Sequence, residues 1–129
     1  MSQQLEVGQL VTGIYKTGKY IGEITMVKET NYVMRVLAVV NHPTQGDLHN
    51  PNQVEGVFFH ERRALAHREQ VNIPNVYVKP FYGELPSYEE SLKTALDKEI
   101  AELEANGSAF ALKSIEVLRG LEKDYFKLT

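Results

Sequence analysis

An α+β fold is predicted by three features of the 129-residue sequence. Its first part alternates apolar and polar residues at strand spacing, with short turn signals between the runs. Its last part carries apolar stripes at helical spacing, each opened by a capping residue. Between the strand runs lies one stretch with no periodicity at all. The expected architecture is a small SH3-like β-barrel over residues 1–83, with a long loop at 41–56, followed by an antiparallel helical hairpin over 84–129 packed on the barrel.

The strands are read in order. Val7 to Tyr15 mixes β-branched residues with glycines, and Thr17-Gly18 is a turn signal. From Tyr20 the chain alternates, with Tyr20, Gly22, Ile24 and Met26 on one side and Ile21, Glu23, Thr25 and Val27 on the other. After a turn at Glu29-Thr30-Asn31, the run from Tyr32 to Val40 becomes almost wholly apolar, so its end is expected to be buried on both faces. Residues 41–56 hold two prolines, two glycines and three asparagines, which makes them a loop. Val57 to His60 resumes a strand. Ala64 to Val71 is read as another, after a turn at Glu61-Arg62-Arg63, with a helix over Glu61 to Arg68 as the competing reading. Ile73-Pro74-Asn75 is a tight turn before a last short strand at Val76 to Lys79.

The helices are marked more sharply. Ser87 can accept from the Glu90 amide while Glu90 reaches back, a capping box. Leu92, Leu96, Ile100 and Leu103 follow as one stripe, and Glu89 and Lys93 form an i,i+4 pair in the favourable order. Asn106-Gly107 ends this helix and Ser108 caps the next, whose stripe is Ala111, Ile115, Leu118, Leu121 and Tyr125. So short a connection makes the helices antiparallel. Each buried Leu or Ile contributes roughly 1.5–3 kcal/mol, against about 1–2 kcal/mol lost for each residue ordered. The hairpin therefore needs the barrel, or a partner, to cover its stripes.

Composition excludes several classes. The chain has no cysteine, so disulfides, thiolate metal sites and thiol nucleophiles are out. The N-terminal residues lack the basic and apolar regions of a signal peptide, and the longest apolar run, Val36 to Val40, is too short for a bilayer. A cytoplasmic protein is expected. Residues 1–80 carry 8 Lys and Arg against 7 Asp and Glu, whereas residues 81–129 carry 6 against 10, for a net charge of -3. Neither part is basic enough to grip a phosphate backbone, so no nucleic-acid partner is expected.

The chemical motifs are degraded. Gly13-Ile-Tyr-Lys-Thr-Gly18-Lys19-Tyr20 approaches a phosphate-binding loop, but Tyr20 replaces the hydroxyl residue that would meet magnesium and a strand follows where a helix is needed. A hairpin turn with exposed lysines accounts for it. His60-Glu61-Arg62-Arg63-Ala64 begins like a zinc motif and lacks its second histidine. His42, Asp47, His49, His60, Glu61 and His67 are ligand types without ligand spacing. Ser87 and Ser108 are explained as caps, and no serine sits in a nucleophile elbow. No catalytic residue, metal site or cofactor is assigned.

Three runs carry a family resemblance: Ile14-Tyr-Lys-Thr-Gly-Lys-Tyr-Ile-Gly-Glu-Ile24, His42-Pro-Thr-Gln-Gly-Asp-Leu-His-Asn-Pro51 and Phe58-Phe-His-Glu-Arg-Arg-Ala-Leu-Ala66. Together they resemble the kinase-associated protein B family of spore-forming bacteria. The resemblance implies a non-enzymatic regulator that supports a membrane sensor histidine kinase in the sporulation phosphorelay by protein–protein binding. It also implies an SH3-like barrel with C-terminal helices, and membrane association only through the kinase, with no direct insertion. Family members sometimes carry the label lipoprotein; without cysteine this sequence cannot bear a diacylglyceryl group.

The 41–60 segment is the expected partner-binding face, with His42, Asp47, Leu48, His49 and Asn50 as candidate contacts. Its prolines restrict the free chain and lower the ordering cost of binding. The competing role is structural, with Leu48 plugging one end of the barrel. Two other functions stand beside the resemblance: a metal-dependent enzyme using the His/Asp-rich loop, and a structural module that forms a homodimer through the hairpin.

Overall fold

The computed structural model describes residues 5–46 and 59–126. Five strands form one antiparallel sheet: β1 (Leu10–Tyr15), β2 (Gly18–Val27), β3 (Asn31–Asn41), β4 (Gln70–Pro74) and β5 (Val78–Pro80). A single 3-10 turn, Asn75–Tyr77, links β4 to β5, and two helices follow, α1 (Tyr88–Asn106) and α2 (Ala109–Phe126).

The α+β class holds, but the sheet is not a closed barrel. Its order is β4-β3-β2-β1-β5, and no ladder joins β4 to β1 or β5 among the described residues. The sheet does curl hard. A Cβ on Gly13 of β1 would lie 2.7 Å from the Ile73 Cδ1 of β4, so only glycine lets the two strands approach. At that point the Ile73 side chain, not a ladder bond, lies between the two strands. The strand ends resist closure as well, because Pro74 and Pro80 have no N–H to donate.

The alternation predicted for β2 holds through Tyr20, Gly22 and Ile24, which are buried, although Ile21 on the other side is buried as well. It then fails. A bulge between Ile24 and Met26 shifts the register against β3, leaving Met26 exposed and packing Val27 against the core. On β3, Tyr32, Met34, Val36 and Ala38 are buried in alternation, and Val39 joins them where α1 covers the strand. There the Val39 N–H donates to Ser91 Oγ at 2.9 Å.

The hairpin forms as read. Ser87 Oγ accepts from the Glu90 amide at 3.2 Å, Gly107 ends α1 at φ +70°, and Ser108 Oγ accepts from the Ala111 amide at 3.1 Å. Lys93 reaches Asp97 at 3.4 Å and Glu122 at 3.8 Å rather than the expected Glu89. The α1 stripe divides in two. Leu92 and Ala95 enter the core beneath the sheet, while Leu96 and Ile100 meet Leu118 and Leu121 of α2.

The strands expected at Val57 to His60 and Ala64 to Val71 are not present as read. Residues 57 and 58 lie outside the described residues, 59–66 have no regular structure, and β4 begins only at Gln70. Nor does the competing helix over Glu61 to Arg68 form. The expected strand at Val76 to Lys79 begins later, at Val78, after the 3-10 turn.

Candidate functional site: the motif clamp

The segment 61–66 pairs with no strand, and side chains take the place of a neighbouring one. The Leu65 N–H donates to Tyr20 Oη at 3.2 Å, and its carbonyl accepts from Tyr88 Oη at 2.5 Å. The Ala64 N–H donates to Tyr125 Oη at 2.8 Å, and the Ala66 N–H to Glu69 Oε1 at 2.8 Å. Gln45 holds both backbone polar groups of one residue, Arg62. Its Oε1 accepts from the Arg62 N–H at 2.8 Å, and its Nε2 donates to the Arg62 carbonyl at 2.8 Å and the Pro43 carbonyl at 3.0 Å. A backbone satisfied in this way has no need of a ladder.

His42 lies behind this segment, 2% exposed. Its Nδ1 meets the Pro43 carbonyl at 3.0 Å and its Nε2 meets Tyr125 Oη at 2.9 Å. A carbonyl only accepts, so Nδ1 carries the proton and Nε2 takes the Tyr125 hydroxyl proton. The chain of donation runs from the Ala64 amide to Tyr125 to a neutral His42. Burial drives the His42 pKa below its ordinary value and outweighs the Pro43 bond, which favours the neutral-to-charged step. Burial likewise raises Tyr125, while the Ala64 bond opposes it, and pushes Tyr20 up to about 12. These phenols stay neutral donors and acceptors across the physiological range.

Arg63 closes the outside. Its guanidinium sits 5.2 Å from the Tyr125 ring centroid and pairs with Asp124 of α2 at 2.5 Å. Gly46, at φ +98°, donates to the His60 carbonyl at 2.9 Å. A Cβ there would come within 3.1 Å of Phe59 and 3.3 Å of Phe110, whose rings are 5.9 Å apart. Gly46 and Phe59-His60 are thereby tied together against Phe110 of α2.

Of the candidate partner contacts, His42 is buried with both ring nitrogens engaged, and Asp47, Leu48, His49 and Asn50 lie outside the described residues. No group of three or more His, Cys, Asp or Glu able to hold a metal occurs among the described residues. The phosphate-loop likeness proves to be the β1–β2 hairpin, turning at Lys16-Thr17. Sequence reasoning missed the clamp altogether. Its signal was Gln45, a long polar residue between Pro43 and Gly46 whose burial at 3% nothing in the local pattern predicts.

Curled sheet, covering hairpin and tyrosine-bound segment define a small α+β protein whose motif residues are spent on one another rather than on a cleft. Family matching gives the class its name. Residues 15–126 match the family described as Kinase associated protein B, and the chain belongs to that family. It is 52% identical over 121 residues to the Kinase-associated lipoprotein B of Bacillus subtilis (strain 168), covering 94% of each chain. It is also similar to the crystal structure of kinase-associated protein B from Bacillus cereus, at 48% identity and a TM-score of 0.82, covering 97% of this chain and 100% of that one. Among the described residues no helix is long and apolar enough to cross a membrane.

Proposed function

We propose that this protein is a non-enzymatic accessory factor that binds a membrane sensor histidine kinase and supports its signalling in the sporulation phosphorelay. Membership of the kinase-associated family over nearly the whole chain carries this reading. The clamp supports it physically: its imidazole, phenols and amide are consumed in internal hydrogen bonds, an arrangement suited to holding a surface in place rather than to moving protons. In this reading the protein works in the cytoplasm and meets the membrane through the kinase. Asp47, Leu48, His49 and Asn50 contact the kinase, and His42 anchors the base of their loop.

The test is capture of detergent-solubilised kinases from Bacillus subtilis by the tagged protein, followed by autophosphorylation of the captured kinase with and without it. Recovery of a histidine kinase whose autophosphorylation changes is expected. Recovery of no histidine kinase refutes the proposal. Leu48→Ala and His49→Ala test the loop. Weakened capture with an unchanged melting temperature supports contact there, and full capture by a destabilised variant overturns it.

A further inference from the structure

The sheet's failure to close leaves a seam, and the seam has a chemistry of its own. Among the described residues β4 pairs with β3 alone, and Ile14 and Tyr15 of β1 pair with β2 alone, since β5 covers only Val11 to Gly13. Unpaired strand edges are templates for an added strand. Between them runs a groove of about 420 Å³ lined by Ile14, Tyr15, Lys16, Asn72, Pro74 and Tyr77. Its apolar walls are open to solvent, with Ile14 42% and Tyr77 50% exposed, and Val76 beside Tyr77 is 77% exposed.

Charge decides what fits. No carboxylate lines this groove. Lys16 stands at one end with its ammonium 5.6 Å from the Tyr15 ring centroid, and the Lys28 ammonium is bonded to Asn72 Oδ1 at 2.9 Å. Tyr15 and Lys16 also line the adjoining cleft, of about 220 Å³, where Arg62 adds positive charge, Arg63 is already paired with Asp124 and Glu61 is the one lining carboxylate. The chain as a whole is at -3, with its acidic excess in residues 81–129. The seam thus sets apolar anchor sites beside the Lys16 ammonium and the Asn72-bound Lys28 ammonium, with no carboxylate in its lining.

We propose that this open seam, Ile14 to Lys16 with Asn72, Pro74 and Tyr77, binds an extended acidic segment of a partner protein that carries an apolar or aromatic anchor residue. The proposal rests on the reading that the protein acts by binding a partner, and it names the surface and the partner's chemistry. Carboxylates would meet Lys16 and Lys28, the anchor would lie between Ile14 and Tyr77, and the backbone would follow the unpaired edges.

Two-dimensional NMR of the full chain, titrated with the capped peptide acetyl-Glu-Glu-Phe-Glu-Leu-Glu-Glu-amide and with its Lys-for-Glu counterpart, tests this. Amide shifts centred on Ile14, Lys16, Asn72 and Tyr77 are expected with the acidic peptide alone. Lys16→Glu should weaken binding about two- to fivefold, the size of an exposed charge contact, and added salt should do the same. Tyr77→Ala should weaken binding at any salt. If Lys16→Glu disturbs its turn, Lys28→Glu makes the same charge change outside it. No shift at millimolar peptide, shifts spread over the helices, or equal binding of the lysine peptide overturns the proposal. So does sedimentation showing that a second copy occupies the seam. Undiminished kinase capture by the Lys16→Glu, Tyr77→Ala double variant sinks the seam alone, whereas failure of the wild-type protein to capture a kinase sinks the wider reading.

Discussion

Replacing Tyr125 with Phe removes one oxygen and leaves the ring. That ring keeps its edge contact with His42, at 5.8 Å between centroids, and its place under Arg63. What is lost is the acceptor of the Ala64 amide and the donor to His42 Nε2. A buried polar group left without a partner costs about 1–3 kcal/mol. Both bonds are only partly buried, so water relieves some of that, and about 2 kcal/mol in total is expected. For a chain of this length each kcal/mol moves the melting temperature by about 3–5 °C, so thermal unfolding followed by circular dichroism should shift down about 6–10 °C. Hydrogen exchange gives a second, local readout: the Ala64 amide should exchange faster while amides in β2 stay protected. A melting shift under about 2 °C with unchanged Ala64 exchange would refute the view that this hydroxyl holds the 61–66 segment.

The other expectations concern the same core. His42 titrates below the ordinary 6.5 when folded, so between those values the unfolded chain binds the extra proton; stability is full above about 6.5 and falls as pH drops through that window. Urea midpoints at neutral and mildly acidic pH should show that fall in the wild type and a smaller one in His42→Gln. Gln45→Ala deletes three hydrogen bonds and should cost about 3 kcal/mol in urea unfolding; a loss below about 1 kcal/mol counts against the clamp. Ser114 Oγ is buried with no hydrogen-bond partner among the described residues, so Ser114→Ala should raise stability by up to about 1 kcal/mol, and a lowered melting temperature would contradict this. A chain stopped after Pro80 should aggregate or lose sharp NMR signals, because Leu92 and Ala95 belong to the sheet's own core; a well-dispersed spectrum would show that the sheet folds alone.

Legibility in the sequence followed the range of the interactions. The helices were read nearly residue for residue, since caps and stripes act over three or four positions and Ser87, Gly107 and Ser108 do what local chemistry says. The sheet strands up to Asn41 were legible for the same reason, except at the register shifts between Lys19 and Tyr20, Ile21 and Gly22, and Ile24 and Met26, which no alternation announces. The segment 61–66 was misread because its partners are remote: Tyr20 lies 45 residues from Leu65, and Tyr125 lies 61 residues from Ala64. A backbone bonded by phenols has the composition of a strand and the pairing of none. Barrel closure failed as an inference for a related reason. Strand count and spacing do not reveal whether the last edges meet as ladders or through side chains, and here the Ile73 side chain lies against the bare backbone of Gly13.

This has a consequence for where binding chemistry is sought. The strings that identify the family are those around His42 and Phe58 to Ala66. Their described residues, His42, Gln45, Arg62, Ala64 and Leu65, hold the chain to itself, with Tyr20, Tyr88 and Tyr125 as the other half of the clamp. A motif so occupied holds this chain's own fold, and its described residues leave a docking partner little to grip. On the proposed readings, recognition falls to the segment between Gly46 and His60, whose flanking residues are bonded to each other, and to the seam beside Lys16 that adjoins the clamp at Arg62 and Arg63. A variant in the clamp should therefore weaken binding only by loosening both surfaces together, with stability falling first, whereas a variant at Lys16 or Tyr77 should weaken binding with stability intact.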